Sequence, residues 1–398
     1  MTHAPSLPKQ YSRRLVAEAL LHDAPISRAA LARATGLSKQ TMSLVIADLE
    51  GEGWVRSVGV SKGAVGRTAV SYDLARDAAL SVGVDLGGTK VSVAIADLLG
   101  KALAEATEPT DPRGGGHVMR QVHQLACRLA AQKRLDFARV RSVVVGMPGV
   151  VNPDTGAVDL VPNIRGLSSI RVPNVLAELF GQPVVIENDV NLAMLGESWQ
   201  GCAQGASNAA FLALGTGVGL GLIVNGRLAR GAKGAAGEIA YLPLGRDLES
   251  EDARTIGAFE LEVGSAGILK RYRESGGRDA DSVRELFDRL EAGEPAARET
   301  IEATGRAIAL AITALESILN PEIVVLGGSI GIRTELADRV RALLGSVFAR
   351  SVDVRVSALG ARAGLVGAVS LAVNRLHNEL FGMSSVPKDL SLPGRAAA

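Results

Sequence analysis

Three times in this 398-residue chain an apolar run of strand character stops abruptly at glycine. Ser81–Leu86 meets Gly87-Gly88-Thr89-Lys90, Ala210–Leu214 meets Gly215-Thr216-Gly217-Val218-Gly219, and Ile323–Leu326 meets Gly327-Gly328-Ser329. Glycine lets the backbone pass close to a ligand and exposes successive N–H groups as an anion nest. Three such turns can surround one nucleotide. Thr89 can donate to a phosphate, and Asp85, just ahead of the first turn, can hold Mg²⁺ through water. None of the three is a Walker A loop. Gly215–Gly219 also fails the dinucleotide G-x-G-x-x-G pattern, because Leu220 stands at the third glycine position. Taken alone, the first turn also reads as an ordinary tight hairpin.

The patterning around these turns predicts strands over Ser81–Leu86, Val91–Ala96 and Lys101–Ala106, then a helix over Val118–Gln132. Further strands are expected at Val140–Gly146, Val184–Ile186, Ala210–Leu214, Gly221–Val224 and Ile323–Leu326, with helices at Val190–Glu197, Ser282–Leu290, Pro295–Asn320 and Arg333–Val347. A β-meander followed by mixed β and α, twice over, predicts two α/β lobes with a cleft between them.

The N-terminal stretch follows a different pattern. Residues 1–10 read as disordered, and Tyr11–Leu21 places Leu15, Val16, Ala19 and Leu20 at helical spacing. Ser27 predicts the N-cap of a short helix that Gly36 ends. Ser38 predicts the cap of a third helix, running to Glu50, with Leu44, Val45, Ala47 and Leu49 on its buried side. Strands follow from Trp54 and at Thr68–Leu74, with Ser61–Arg67 as the turn between them. Three helices and a hairpin make a winged helix-turn-helix over residues 1–77. Its second helix of the motif offers Ser38, Lys39, Gln40, Thr41 and Ser43 to base edges, while Lys62 and Arg67 on the wing suit phosphates or the minor groove. Ten Lys and Arg against seven Asp and Glu in this segment permit DNA binding without requiring it. The bland alternative is a small helical oligomerisation domain with a solvated polar face.

The net charge of +1 confines any nucleic-acid footprint to one region. Cys127 and Cys202 lie far apart with no C-x-x-C spacing, which argues against a disulfide framework or a cysteine-rich zinc site. With no signal-type apolar segment and no run of about 18 apolar residues, the expectation is a cytoplasmic protein without a membrane partner.

Glu187-Asn188-Asp189 follows the apolar run Val184–Ile186 and so falls at a strand end, where α/β sites form. A sugar hydroxyl is a poor nucleophile, and a carboxylate beside it can orient it and take its proton during phosphoryl transfer. Asp189 is the candidate base, with Asn188 as a hydroxyl binder and Glu238 and Glu260 as further acceptors. Alone, an Asn-Asp pair also reads as a helix cap.

With these residues in view, the chain resembles the ROK family of repressors, uncharacterised reading frames and sugar kinases. The matching segments are D-L-G-G-T-K at 85–90, G-M-P-G-V-V at 146–151, Asn163, E-N-D-V-N at 187–191, G-T-G-V-G at 215–219 and G-A-A-G-E-I at 234–239. The resemblance runs from Tyr11 to near Arg375 and implies an actin/hexokinase-like, ribonuclease H-like ATPase fold over residues 78–381. It implies that Asn188, Asp189 and Glu238 contact sugar, with Asp189 as catalytic base, and it brings Asn163, Tyr241 and Glu260 into the same pocket. It implies ATP with Mg²⁺ at Asp85, Gly87, Gly88, Thr89, Lys90, Gly215, Thr216, Gly217, Gly327 and Gly328. The winged segment is similar to that of the family's repressor branch. Tyr241 stands where the family has a sugar- and zinc-binding His, and the family's zinc-binding cysteines are missing, with Glu260 matching only the last acidic position. Those departures argue against zinc. Residues 382–398 read as a disordered tail.

The expectation is a sugar-responsive DNA-binding transcription regulator, repression being the family's commoner habit. Its partners would be operator DNA and a sugar or sugar-phosphate effector, and it would act as a homodimer or a dimer of dimers. The alternatives are an ATP-dependent, glucokinase-like sugar kinase with an appended DNA-binding domain, and a non-catalytic interaction module.

Overall fold

The computed structural model describes residues 7–62, 68–152, 155, 158–159, 164–167, 170–245, 248–278, 280–347 and 351–381. The expected wing residue Arg67, Asn163 and the tail 382–398 lie outside the described residues. The chain divides into two compact units, one of residues 1–147, 162–186 and 368–398, the other of residues 148–161 and 187–367.

The first unit opens with α1 (Leu7–Asp23), β1 (Ile26–Ser27), α2 (Arg28–Thr35) and α3 (Lys39–Gly51), then β2 (Val55–Lys62) and β3 (Thr68–Leu74). Helix α1 starts at Leu7, ahead of the expected Tyr11. Pro8 is tolerated in a first turn, where its missing N–H would be unpaired anyway, and Lys9 pairs with Asp48 at 2.6 Å. The three strands form a sheet in the order β1-β3-β2. Val16, Leu20, Leu31, Met42, Ile46, Leu49 and Leu74 fill the core of this winged fold.

Next come β4 (Leu80–Leu86), β5 (Lys90–Ala96), β6 (Ala102–Pro109), α4 (Gly115–Gln132), β7 (Val140–Met147), the short β8 (Val150–Val151) and β9 (Val158–Asp159), α5 (Val172–Phe180) and β10 (Val185–Asn188). The sheet order is β10-β7-β4-β5-β6, with β4, β5 and β6 an antiparallel meander and β7 parallel to β4.

The second sheet repeats that plan. Helix α6 (Asp189–Gln200) leads to β11 (Ala209–Leu214), β12 (Val218–Val224) and β13 (Arg227–Leu228). After them come α7 (Ala258–Val263), α8 (Ser265–Glu274), α9 (Val283–Glu291), α10 (Pro295–Ile318), β14 (Ile323–Gly327), α11 (Gly328–Gly331), α12 (Thr334–Val347), β15 (Val354–Val356) and α13 (Ala363–Leu380). The order is β13-β12-β11-β14-β15, again an antiparallel meander with the next strand parallel to its first member. Two sheets of one plan bear out the doubled α/β pattern. Helices α5, α7, α8, α11 and α13 and the short strands β1, β8, β9, β13 and β15 lie outside the expected elements.

The end of α13 returns to the winged fold. Leu376 and Phe381 belong to the same buried cluster as Leu20, Leu49 and Leu98. Arg13 holds the Glu52 carboxylate with two bonds of 2.6 Å and donates to the Leu380 carbonyl at 3.0 Å. Buried His377 lies 2.7 Å from the Leu98 carbonyl through Nε2.

Candidate functional site

The helix-turn-helix geometry follows from local chemistry. Ser27 Oγ accepts from Ala30 N and caps α2. Gly36 ends that helix at φ 70°, a left-handed conformation that suits glycine. Ser38 then caps α3, its Oγ accepting from Thr41 N at 3.1 Å and meeting Thr41 Oγ1 at 2.9 Å. The hydroxyls of Ser38 and Thr41 are thus engaged in the cap, while Lys39 and Gln40 are exposed and Ser43 is half-buried. The buried side of α3 is Met42, Val45, Ile46 and Leu49. Leu44 and Ala47, expected in the core, face solvent, and Leu44 is 62% exposed. At about 100° per residue the core stripe fixes the opposite stripe as Gln40, Leu44 and Ala47. Lys62 ends β2, and its side chain lies outside the description.

A second constellation occupies the second unit. The last strand residue, Asn188, caps α6: Oδ1 accepts from Val190 N at 2.9 Å and Asn191 N at 3.0 Å, and Nδ2 donates to the Gly149 carbonyl at 3.0 Å. Asp189 is therefore held at the first position of a helix, one oxygen accepting from Val190 N at 2.9 Å. Burial raises the Asp189 pKa, opposed by its backbone hydrogen bonds. Glu260 accepts from Val218 N at 2.9 Å, and burial raises its pKa as well. Glu238 is exposed as a residue, yet burial of its carboxyl group and repulsion from Glu260 and Asp189 raise its pKa. The repulsion that Glu238 feels from both Glu260 and Asp189 places its carboxyl near each of them. Carboxylate oxygens brought together in this way suit a ligand that offers several hydroxyl donors.

Glycine makes this convergence possible. Gly237 has φ 91°, and a Cβ there would lie 2.0 Å from the Leu220 carbonyl oxygen. Only glycine lets the chain enter Glu238 against β12. Tyr241 is 46% exposed, and its hydroxyl donates to the Thr255 carbonyl at 3.3 Å.

Residues that the sequence reading passed over support the site from behind. Buried Glu187 accepts from Asn188 N and from Asn191 Nδ2 at 3.0 Å each, and from Arg230 Nε at 2.7 Å. Arg230 in turn accepts Ala236 N at its carbonyl, so one ion pair ties the strand end to the glycine-rich approach to Glu238. A charged residue continuing an apolar strand was the signal available.

Two of the three glycine turns meet. Gly215 lies against the last turn: a Cβ on it would sit 3.4 Å from Ser329 Oγ. Gly215 N donates to the Gly217 carbonyl at 3.0 Å, and Ser265 donates to the Gly215 carbonyl through N and Oγ. Thr216 is exposed. The turn at 87–89 belongs to the other unit and is an exposed hairpin, with Gly87 N donating to the Lys90 carbonyl at 2.9 Å and Thr110 Oγ1 to the Gly87 carbonyl at 2.7 Å. Thr89 and Lys90 are exposed beside it, and Asp85 is half-buried in β4. Among the described residues no group of three or more His, Cys, Asp or Glu is placed to hold a metal ion, and no helix is long and apolar enough to cross a membrane.

Known proteins resemble this chain along most of its length. The family profile described as the ROK family matches residues 81–375. A putative xylose repressor from Caldicellulosiruptor sp. (strain Rt8B.4) is 26% identical over 392 residues, covering 93% of this chain and 97% of its own. A glucokinase from Thermotoga maritima is 29% identical over 315 residues, covering 74% of this chain and 98% of its own. The solved structure of a ROK family transcriptional regulator, a homologue of the E. coli MLC protein, shares the fold with a TM-score of 0.74 at 21% identity, over 94% of this chain and 98% of its own.

Proposed function

This chain belongs to the ROK family, and on that premise we propose that it is a sugar-responsive, DNA-binding transcriptional repressor of carbohydrate-metabolism genes. The observation that carries the reading is α3. Its capped start presents Lys39, Gln40 and Ser43, and nothing from Lys39 to Ala47 carries a carboxylate. The repressor relative matches 93% of the chain, the glucokinase only 74%.

In this reading residues 1–77 bind operator DNA, Ser38 and Thr41 fixing the helix start and Lys62 and Arg67 contacting backbone. Residues 78–381 sense a sugar or sugar phosphate, with Asn163, Asn188, Asp189, Glu238, Tyr241 and Glu260 as the proposed ligands. The effector alters operator affinity by binding the DNA-competent and DNA-incompetent states unequally. A two-fold dimer would match half-sites one helical turn apart.

A second reading, ATP-dependent phosphorylation of the sugar, is favoured by Asp189. Its raised pKa moves a carboxyl toward the range where a base works. ATP with Mg²⁺ would supply the phosphoryl group. The family resemblance assigns the nucleotide to Gly87, Gly88, Thr89, Lys90, Gly215, Thr216, Gly217, Gly327 and Gly328, and Mg²⁺ to Asp85.

Gln40→Ala tests the DNA assignment. On a duplex recovered by selection from a random pool, it is expected to weaken binding by about 1–3 kcal/mol, the discrimination of one bidentate base contact. Sugar binding measured by calorimetry should not change. Equal operator affinity in both proteins would remove Gln40 from the interface.

A further inference from the structure

Leu44 is an exposed leucine at the centre of the face α3 presents outward. It lies four residues after Gln40 and three before Ala47, opposite the buried stripe of Met42, Val45, Ile46 and Leu49. Leucine at 62% exposure serves no core, and the surrounding chemistry selects what covers it. The helix from Lys39 to Ala47 bears one cation and no carboxylate, and the nearest downstream acid, Asp48, is neutralised by Lys9. An unopposed cation at a capped helix N-terminus fits a polyanion. Gln40 to Ala47 spans about 10 Å along the axis, which matches about three base pairs.

We propose that Leu44, with Ala47, reads the C5-methyl groups of thymines in the operator major groove, beside an adenine read by Gln40. The proposal rests on the DNA-binding reading of α3 and deepens it. Leucine and alanine carry no side-chain donor or acceptor, so along this stripe only Gln40 distinguishes base edges by hydrogen bonding. The thymine methyl is the one apolar feature of the major groove, so this stripe selects A·T pairs. The operator core is therefore a short run of A·T pairs in each half-site.

Replacing dT by dU removes that methyl and nothing else. A duplex recovered by selection from a random pool with the full chain is resynthesised with dU at single thymine positions, and binding is followed by fluorescence anisotropy. Wild type is expected to lose roughly four-fold affinity at each contacted position, the value of one buried methyl group. Leu44→Ala should bind the dT and dU duplexes alike at those positions. Leu44 is exposed, so the variant should keep the wild-type melting temperature. Recovered sites without A·T pairs at the core would overturn the proposal, as would dU tolerance in wild type or equal dU sensitivity in Leu44→Ala. A change in sedimentation mass of Leu44→Ala without DNA, with no dU effect, would instead make Leu44 a self-assembly contact. If no duplex is enriched, the DNA-binding reading itself falls; enrichment without dU sensitivity defeats only the role of Leu44.

Discussion

Asp189→Ala is expected to abolish the sugar response while leaving operator affinity in the absence of sugar unchanged. The carboxyl is placed by the Asn188 cap at the first position of α6, where one oxygen accepts from Val190 N. Losing a hydrogen bond to a charged or partly charged group costs about 1.5–3 kcal/mol, so sugar affinity measured by calorimetry should fall about 10- to 150-fold. Asp189→Asn separates binding from chemistry. An amide still accepts a hydrogen bond but cannot take a proton, so any ADP release with Mg-ATP should fall about 10²–10⁴-fold while part of the sugar response survives. Either substitution also removes a negative neighbour from Glu238, whose pKa should move back toward 4.5. An unchanged dose–response curve for Asp189→Ala would place the effector elsewhere.

The second large effect concerns the end of α13. Burial pushes His377 down to about 4 from 6.5, opposed by its hydrogen bond to the Leu98 carbonyl. The folded chain keeps this imidazole neutral, while the unfolded chain protonates it below 6.5. Between pH 6.5 and 4 the unfolded state therefore binds more protons, and stability is full above that window and falls as pH drops through it. A difference of 2.5 pKa units (6.5 minus 4) makes the loss about 3 kcal/mol by pH 4. His377→Gln can still donate to Leu98 and does not titrate. Denaturation of the two proteins at about pH 7 and about pH 4 should show a wild-type loss larger by about 3 kcal/mol. Equal losses would mean that His377 is accessible to protons in the folded state. Because Leu376 and Phe381 share the winged fold's core, loosening here should also weaken operator binding at low pH.

Much of this architecture was legible because period and punctuation agreed. The cap at Ser38, the left-handed Gly36 and the apolar run that ends at Leu86 ahead of Gly87 each name their structure from local chemistry. Helix α13 was hidden because Ala363–Ala372 is buried almost all round, which erases the amphipathic period on which helix recognition depends. Leu44 departs from the expected buried side because its angle about the axis, not its apolarity, decides which face it takes. In α3 the run Leu44-Val45-Ile46-Ala47 wraps the helix, and only half of it meets the core. At Asn188 both readings of the sequence remain: the residue is a helix cap, and that cap is what presents Asp189. The part played by Glu187 and Arg230 could not be read, because an ion pair across 43 residues has no local pattern.

The most direct test of the central claim is the affinity of the full chain for its selected operator, measured by anisotropy with and without a panel of pentoses, hexoses, amino sugars and their phosphates. One of these is expected to shift the dissociation constant by about 5- to 150-fold, an ordinary coupling of about 1–3 kcal/mol, and Asp189→Ala should erase the shift. Operator affinity indifferent to every sugar, together with ADP release that depends on Asp189, would contradict the account and make the protein a kinase that happens to bind DNA.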